Sequence, residues 1–101
     1  MLIRKKVVDL EAVRVEAVSW DGVAGNERPF SSTPQWLQEA IDNGTVYISA
    51  MASNPVFLIK TDTGNHTCTI GDYILRGTSG EIYPVKAEVF PDIYDIIEQD
   101  K

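Results

Sequence analysis

Cysteine is almost missing from the sequence. The one thiol, Cys68, excludes an internal disulfide and a cysteine-rich zinc site. Histidine is equally scarce, with His66 alone. A metal centre built on imidazoles or a His-based catalytic relay therefore has little to draw on. No apolar run approaches the ~18–20 residues that a membrane-spanning helix needs. The opening MLIRKKVVDLEAV has a basic start but neither an apolar core segment nor a small-residue cleavage site, so no signal peptide is expected. A reduced, cytoplasmic setting is the expectation that follows. Positive charge is also in short supply: 9 Lys and Arg stand against 15 Asp and Glu, a net charge of −6. Extended contact with a nucleic-acid backbone is disfavoured, because affinity there comes from cations neutralising phosphates.

The chain of 101 residues is expected to form a single domain over 1–101 with one modest core. Its apolar share of 44% and charged share of 24% match a globular protein rather than a disordered one. The charge is segregated. Arg4, Lys5 and Lys6 form a basic patch, whereas Glu88, Asp92, Asp95, Glu98 and Asp100 make residues 88–101 acidic. Solvated surface is the plain reading of both. The sharper readings are head-to-tail attraction between subunits and a docking face.

Local patterns give an outline of the fold. In AVRVEAVSW (12–20) Val13, Val15 and Ala17 share one face, a period of two that predicts a strand. Residues 21–32 carry Gly22, Gly25, Asn26 and Pro29 and read as a loop, with Phe30 as an exposed-looking aromatic. Ser32 or Thr33 as a cap, Pro34 in the first turn and Gly44 as a stop bracket a helix near 34–43. Its apolar stripe is Trp36, Leu37, Ala40 and Ile41. Strands follow at 45–51, 56–61, 66–70, 73–76 and 81–86, joined by tight turns at 62–65 and 77–80. Residues 87–90 read as a helical turn broken by Pro91, and 93–98 as a closing strand. The expected fold is α+β: a small, twisted, half-barrel-like antiparallel sheet of five to six strands with one helix packed on it.

The segment Gly71-Asp72-Tyr73-Ile74-Leu75-Arg76-Gly77, then Gly80-Glu81-Ile82-Tyr83-Pro84-Val85-Lys86, Phe90 and Tyr94, resembles a family of small tailed-phage and prophage proteins. Arg4-Lys5-Lys6 and Val15-Glu16-Ala17-Val18-Ser19-Trp20-Asp21-Gly22 echo the opening of that family. Ile70, Val85 and Ala87 stand where its pattern has Pro, Cys and Pro. The resemblance implies a small accessory protein working in the cytoplasm of a phage-infected bacterium. Proteins of this size in phages often counter host defences, some by sequestering a cyclic-nucleotide signal and some by binding a host protein.

For a ligand, the turn Arg76-Gly77-Thr78-Ser79-Gly80 with Lys86 is the candidate anion site. Glycines let backbone N–H groups approach a phosphate, hydroxyls add donors, and Arg76 and Lys86 supply charge. A nucleobase would need an aromatic to stack on. Trp20 and Phe30, flanking the 21–32 loop, and Tyr83 are the candidates, although a chain this small also needs its aromatics in the core. The bland alternative is a glycine-closed hairpin with solvated cations, Glu81 pairing across it with Arg76 or Lys86. His66 and Cys68 share a strand face but lack further ligands, so no metal, cofactor or catalytic residue is expected. The leading expectation is a non-enzymatic, homo-oligomeric protein that captures a phosphate-bearing small molecule. The alternative is a protein that inhibits a host protein through its acidic C-terminal strand; an acid/base enzyme using Glu81 is the third.

Overall fold

A computed structural model describes residues 1, 10–18, 28–49, 55–94 and 96. The elements run in the order β1 (Glu11–Arg14), α1 (Gln35–Asp42), β2 (Val46–Ile48), β3 (Phe57–Thr61), β4 (Gly64–Cys68), β5 (Tyr73–Arg76), β6 (Ile82–Val85) and α2 (Phe90–Ile93). The fold is α+β, and all strand pairing is antiparallel. Instead of one continuous sheet, the strands divide into two open three-stranded sheets, β1-β5-β6 and β2-β3-β4. β6 packs against β3 and β4 without joining their ladder.

The core lies between these layers. Val13 and Val15 alternate inward from β1, as a period of two demands. They meet Leu37 and Ala40 of α1, Val46 of β2, Phe57 and Ile59 of β3, Cys68 of β4 and Ile74 of β5. β5 is covered on both faces, since its neighbours Ile74 and Leu75 are both buried. On the second face Tyr73 stacks on Phe90 of α2, with ring centroids 3.7 Å apart, and Phe90 in turn packs on Tyr94 at 5.2 Å.

Helix α1 falls where its apolar stripe puts it. Its start differs from expectation: Pro34 occupies the N-cap position and brings no side-chain cap, so neither Ser32 nor Thr33 plays that part. Gly44, at φ +82°, ends the helix in the left-handed region that glycine adopts cheaply. The Trp36 indole N–H donates to Glu11 Oε2 at 2.7 Å and fastens the helix to β1. Pro91 does not break a helical turn; it sits in the first turn of α2, where its missing N–H costs nothing. The expected closing strand is not formed at its start, because Ile93 ends α2; residues 95 and 97–98 lie outside the described residues. Among the described residues, no helix is long and apolar enough to cross a membrane.

Candidate functional site

The β5–β6 hairpin carries the expected anion site, and its register decides what that site can do. Arg76 pairs with Ile82 beside the turn, and Tyr73 pairs with Val85 three rungs away. Continued by one step, this register sets Lys86 opposite Asp72. At roughly 3.3 Å per residue, Arg76 and Lys86 are separated by more than about 10 Å of strand, at opposite ends of the hairpin. They do not converge.

Each cation also has an anion of its own. Arg76 Nη1 lies 3.7 Å from Glu11 Oε1, the carboxylate that receives the Trp36 indole. Lys86 Nζ lies 3.3 Å from Asp72 Oδ2 and reaches the carbonyl and hydroxyl of Thr67, both at 3.4 Å. Glu81 pairs with neither. It bends back over the turn, where its carboxylate accepts the Ser79 amide at 3.0 Å and lies against Gly77. The Gly77 amide donates to the Glu81 carbonyl at 2.8 Å, and the Gly80 amide to the Gly77 carbonyl at 3.0 Å. The hairpin's own carboxylate thus occupies the place an incoming phosphate would take. A Cβ on Gly77 would push the Glu81 carboxylate, the far end of an exposed side chain, out of this position. Thr78 and Ser79 are exposed at the tip.

The aromatic candidates separate. Phe30, expected as an exposed aromatic on which a base could stack, is fully buried: Val15 pairs with it in an isolated β-bridge, and its ring lies 5.0 Å from that of Phe57. It is core because the loop re-enters the sheet beside β1. Trp20 lies outside the described residues. Tyr83 is half-buried on β6, and its hydroxyl is pushed up from 10.0 to about 12 by burial first, then by hydrogen bonding to Tyr94 and by the Tyr94 and Glu81 charges.

Asp72 is the most constrained polar group of the hairpin. Its side chain is only 6% exposed, yet both oxygens are filled. Oδ1 accepts the Ala87 amide at 2.9 Å, and Oδ2 accepts the Thr69 amide at 3.0 Å together with Lys86. One carboxylate therefore ties the β4–β5 turn to the segment that follows β6. Its backbone carbonyl receives the Val15 amide at 2.8 Å, which brings β1 into the same knot. Nearby, Cys68 is buried; burial chiefly, then the Asp72 charge, pushes its thiol up from 9.0 to about 12, with Lys86 pulling the other way. Such a thiol is a core group rather than a nucleophile at neutral pH.

Two surfaces remain. The first is an open groove of about 430 Å³ between the β3–β4 tip and β6. Thr63 Oγ1 and His66 Nε2 lie 2.8 Å apart on one side, and Tyr83 and Pro84 line the other. Lys60, whose ammonium sits 5.5 Å from the Tyr47 ring centroid, opposes Asp62 and Glu81 in the same groove. With opposite charges present, the groove offers no net pull on an anion. The sequence reading singled out neither Lys60 nor Thr63. Among the described residues, no three His, Cys, Asp or Glu side chains gather to hold a metal ion.

The second surface is the end of the molecule beyond Asp72. Val89 and Ile93 stand four residues apart on the helical run that leads through α2, and are 40% and 62% exposed. Ile70, 62% exposed, lies in the β4–β5 turn, and a Cβ on the adjacent Gly71 would stand 3.7 Å from that of Ala87. Ile96 is 53% exposed just beyond α2. Glu88 and Asp92, both exposed, interleave with these apolar groups. The sequence showed the acidity of this region; the exposure of its aliphatic residues became visible only once Phe90 was seen to take the buried side of the helix. No protein-family model matches the chain, and neither does any curated protein or solved structure.

Proposed function

We propose that the protein is a non-enzymatic protein-binding module, an accessory protein of the phage or prophage kind its motifs resemble. The single observation that carries this reading is the exposed aliphatic group Ile70, Val89 and Ile93 at one end, interleaved with Glu88 and Asp92. Clustered apolar surface beside charge is what a protein contact buries and what an isolated domain gains nothing by exposing. Its partner is a protein surface bearing complementary basic and apolar groups. Phosphate capture at the 76–80 turn has no comparable support, because the turn amides of Gly77, Ser79 and Gly80 and both nearby cations already have partners.

The test uses the immobilised full chain in bacterial lysate. A partner retained by the wild type should be lost with Ile93→Asp and kept with Arg76→Ala. Loss with Arg76→Ala and retention with Ile93→Asp would return the hairpin to consideration and defeat this reading.

A further inference from the structure

Resting on that reading, we propose that the acid-rimmed apolar end takes the basic segment 2–8 of a second copy, so that chains join head to tail. Three observations lead there. Pairing the end with itself would set Glu88 and Asp92 against their own equivalents, and like charges across a contact are repulsive. The complement must therefore be basic and apolar together. This chain carries such a segment: Leu2-Ile3, then Arg4-Lys5-Lys6, then Val7-Val8.

The described cations have partners within the fold. Arg14 pairs with Glu16 at 3.4 Å, Arg76 with Glu11 and Lys86 with Asp72. Arg28 donates to the Ser31 carbonyl at 2.8 Å, and Lys60 rests over Tyr47. The topology then sets the geometry. β1 begins at Glu11, opposite Arg76, and runs toward Tyr73 and the Asp72 end. Its entry point and the apolar end thus lie at opposite ends of the β1-β5-β6 sheet. The proposed contact joins the segment of one copy to the apolar end of the next, two different surfaces. Such a contact is heterologous, and it builds rings or open chains rather than a two-fold dimer.

The experiment is sedimentation equilibrium on the full chain across rising concentration at low salt. The wild type should exceed its monomer mass of 11.2 kDa as concentration rises. The effect should weaken as added salt shortens the screening length from about 10 Å at 0.1 M to about 3 Å at 1 M. Ile93→Asp should weaken association at least tenfold while leaving the circular dichroism spectrum unchanged.

Two charge-reversed variants give the decisive arm. Arg4→Glu/Lys5→Glu/Lys6→Glu keeps a normal acidic end, and Glu88→Lys/Asp92→Lys keeps a normal basic segment. Each alone should be monomeric. Mixed, they should associate again, because the basic segment of one meets the acidic end of the other and the reversed segment meets the reversed end. A wild type that remains monomeric throughout overturns the inference. So does a mixture that fails to associate, whether the segment folds back on its own chain or another surface mediates association. Either result leaves the Ile93-dependent capture of another protein to be judged on its own readout.

Discussion

Replacing Asp72 by Ala should cost more stability than any other single change to a charged residue of the hairpin. The substitution removes the acceptor for two backbone amides, those of Thr69 and Ala87, and the counter-ion of Lys86. A hydrogen bond to a charged acceptor contributes about 1.5–3 kcal/mol, and breaking a buried ion pair costs about 3–5 kcal/mol. Lys86 is 47% exposed and Thr69 and Ala87 are exposed residues, so the released groups regain water, and the two lost charge-assisted hydrogen bonds set the loss at about 2–4 kcal/mol. Against a usual stability of about 5–15 kcal/mol, that is a large fraction. Urea unfolding measures it: with a slope near 2 kcal/mol per molar, the midpoint should fall by roughly 1–2 M. Lys86→Met should cost only about 1 kcal/mol, since Asp72 keeps both amides. The double variant should be no worse than Asp72→Ala alone. The reasoning fails if Asp72→Ala stays within about 1 kcal/mol of wild type, or if Lys86→Met is equally costly.

Gly77→Ala should destabilise by only about 0.5–1.5 kcal/mol, because the new methyl displaces the exposed Glu81 carboxylate from the Ser79 amide. In a Glu81→Ala background the same change should be nearly neutral, and a double-mutant cycle in urea reads that coupling directly. Cys68 should resist a disulfide reagent at pH 8 in the native protein and react on unfolding. Its thiol and the Tyr83 hydroxyl both bind protons more tightly when folded, with values near 12 against 9.0 and 10.0. Their contribution is therefore complete below pH 9 and should be lost as pH climbs toward 12. Cys68→Ala should flatten the part of that decline that begins near pH 9 and leave the part that begins near pH 10.

Where a feature is set by neighbouring residues, the sequence displayed it. The β5–β6 hairpin, its glycine turn and the span of α1 all follow from alternation, punctuation and a helical stripe within a dozen residues. Where a feature depends on distant partners, it stayed hidden. Phe30 sits among loop residues, and only its pairing with Val15 and contact with Phe57 make it core. The division into two sheets depends on β6 packing beside β3 and β4 without joining their ladder, which no local pattern encodes. The separation of Arg76 and Lys86 is a different case. Counting register outward from the 77–80 turn sets Lys86 opposite Asp72, so the sequence held that signal. The bend of Glu81 onto Gly77 and Ser79 it did not hold.

The motif residues Gly71, Asp72, Tyr73, Lys86 and Phe90 meet in one knot of hydrogen bonds and stacked rings. Those residues hold the hairpin and α2 in place and present the apolar end proposed above to meet a partner. Backbone amide shifts of the isotopically labelled protein, followed during titration with inorganic pyrophosphate and with a cyclic dinucleotide, test this account most directly. It predicts that the amides of Gly77, Ser79 and Gly80 stay where they are, held by Glu81 and by the turn itself. Saturable movement of the Ser79 amide, accompanied by release of the Glu81 carboxylate, would contradict it.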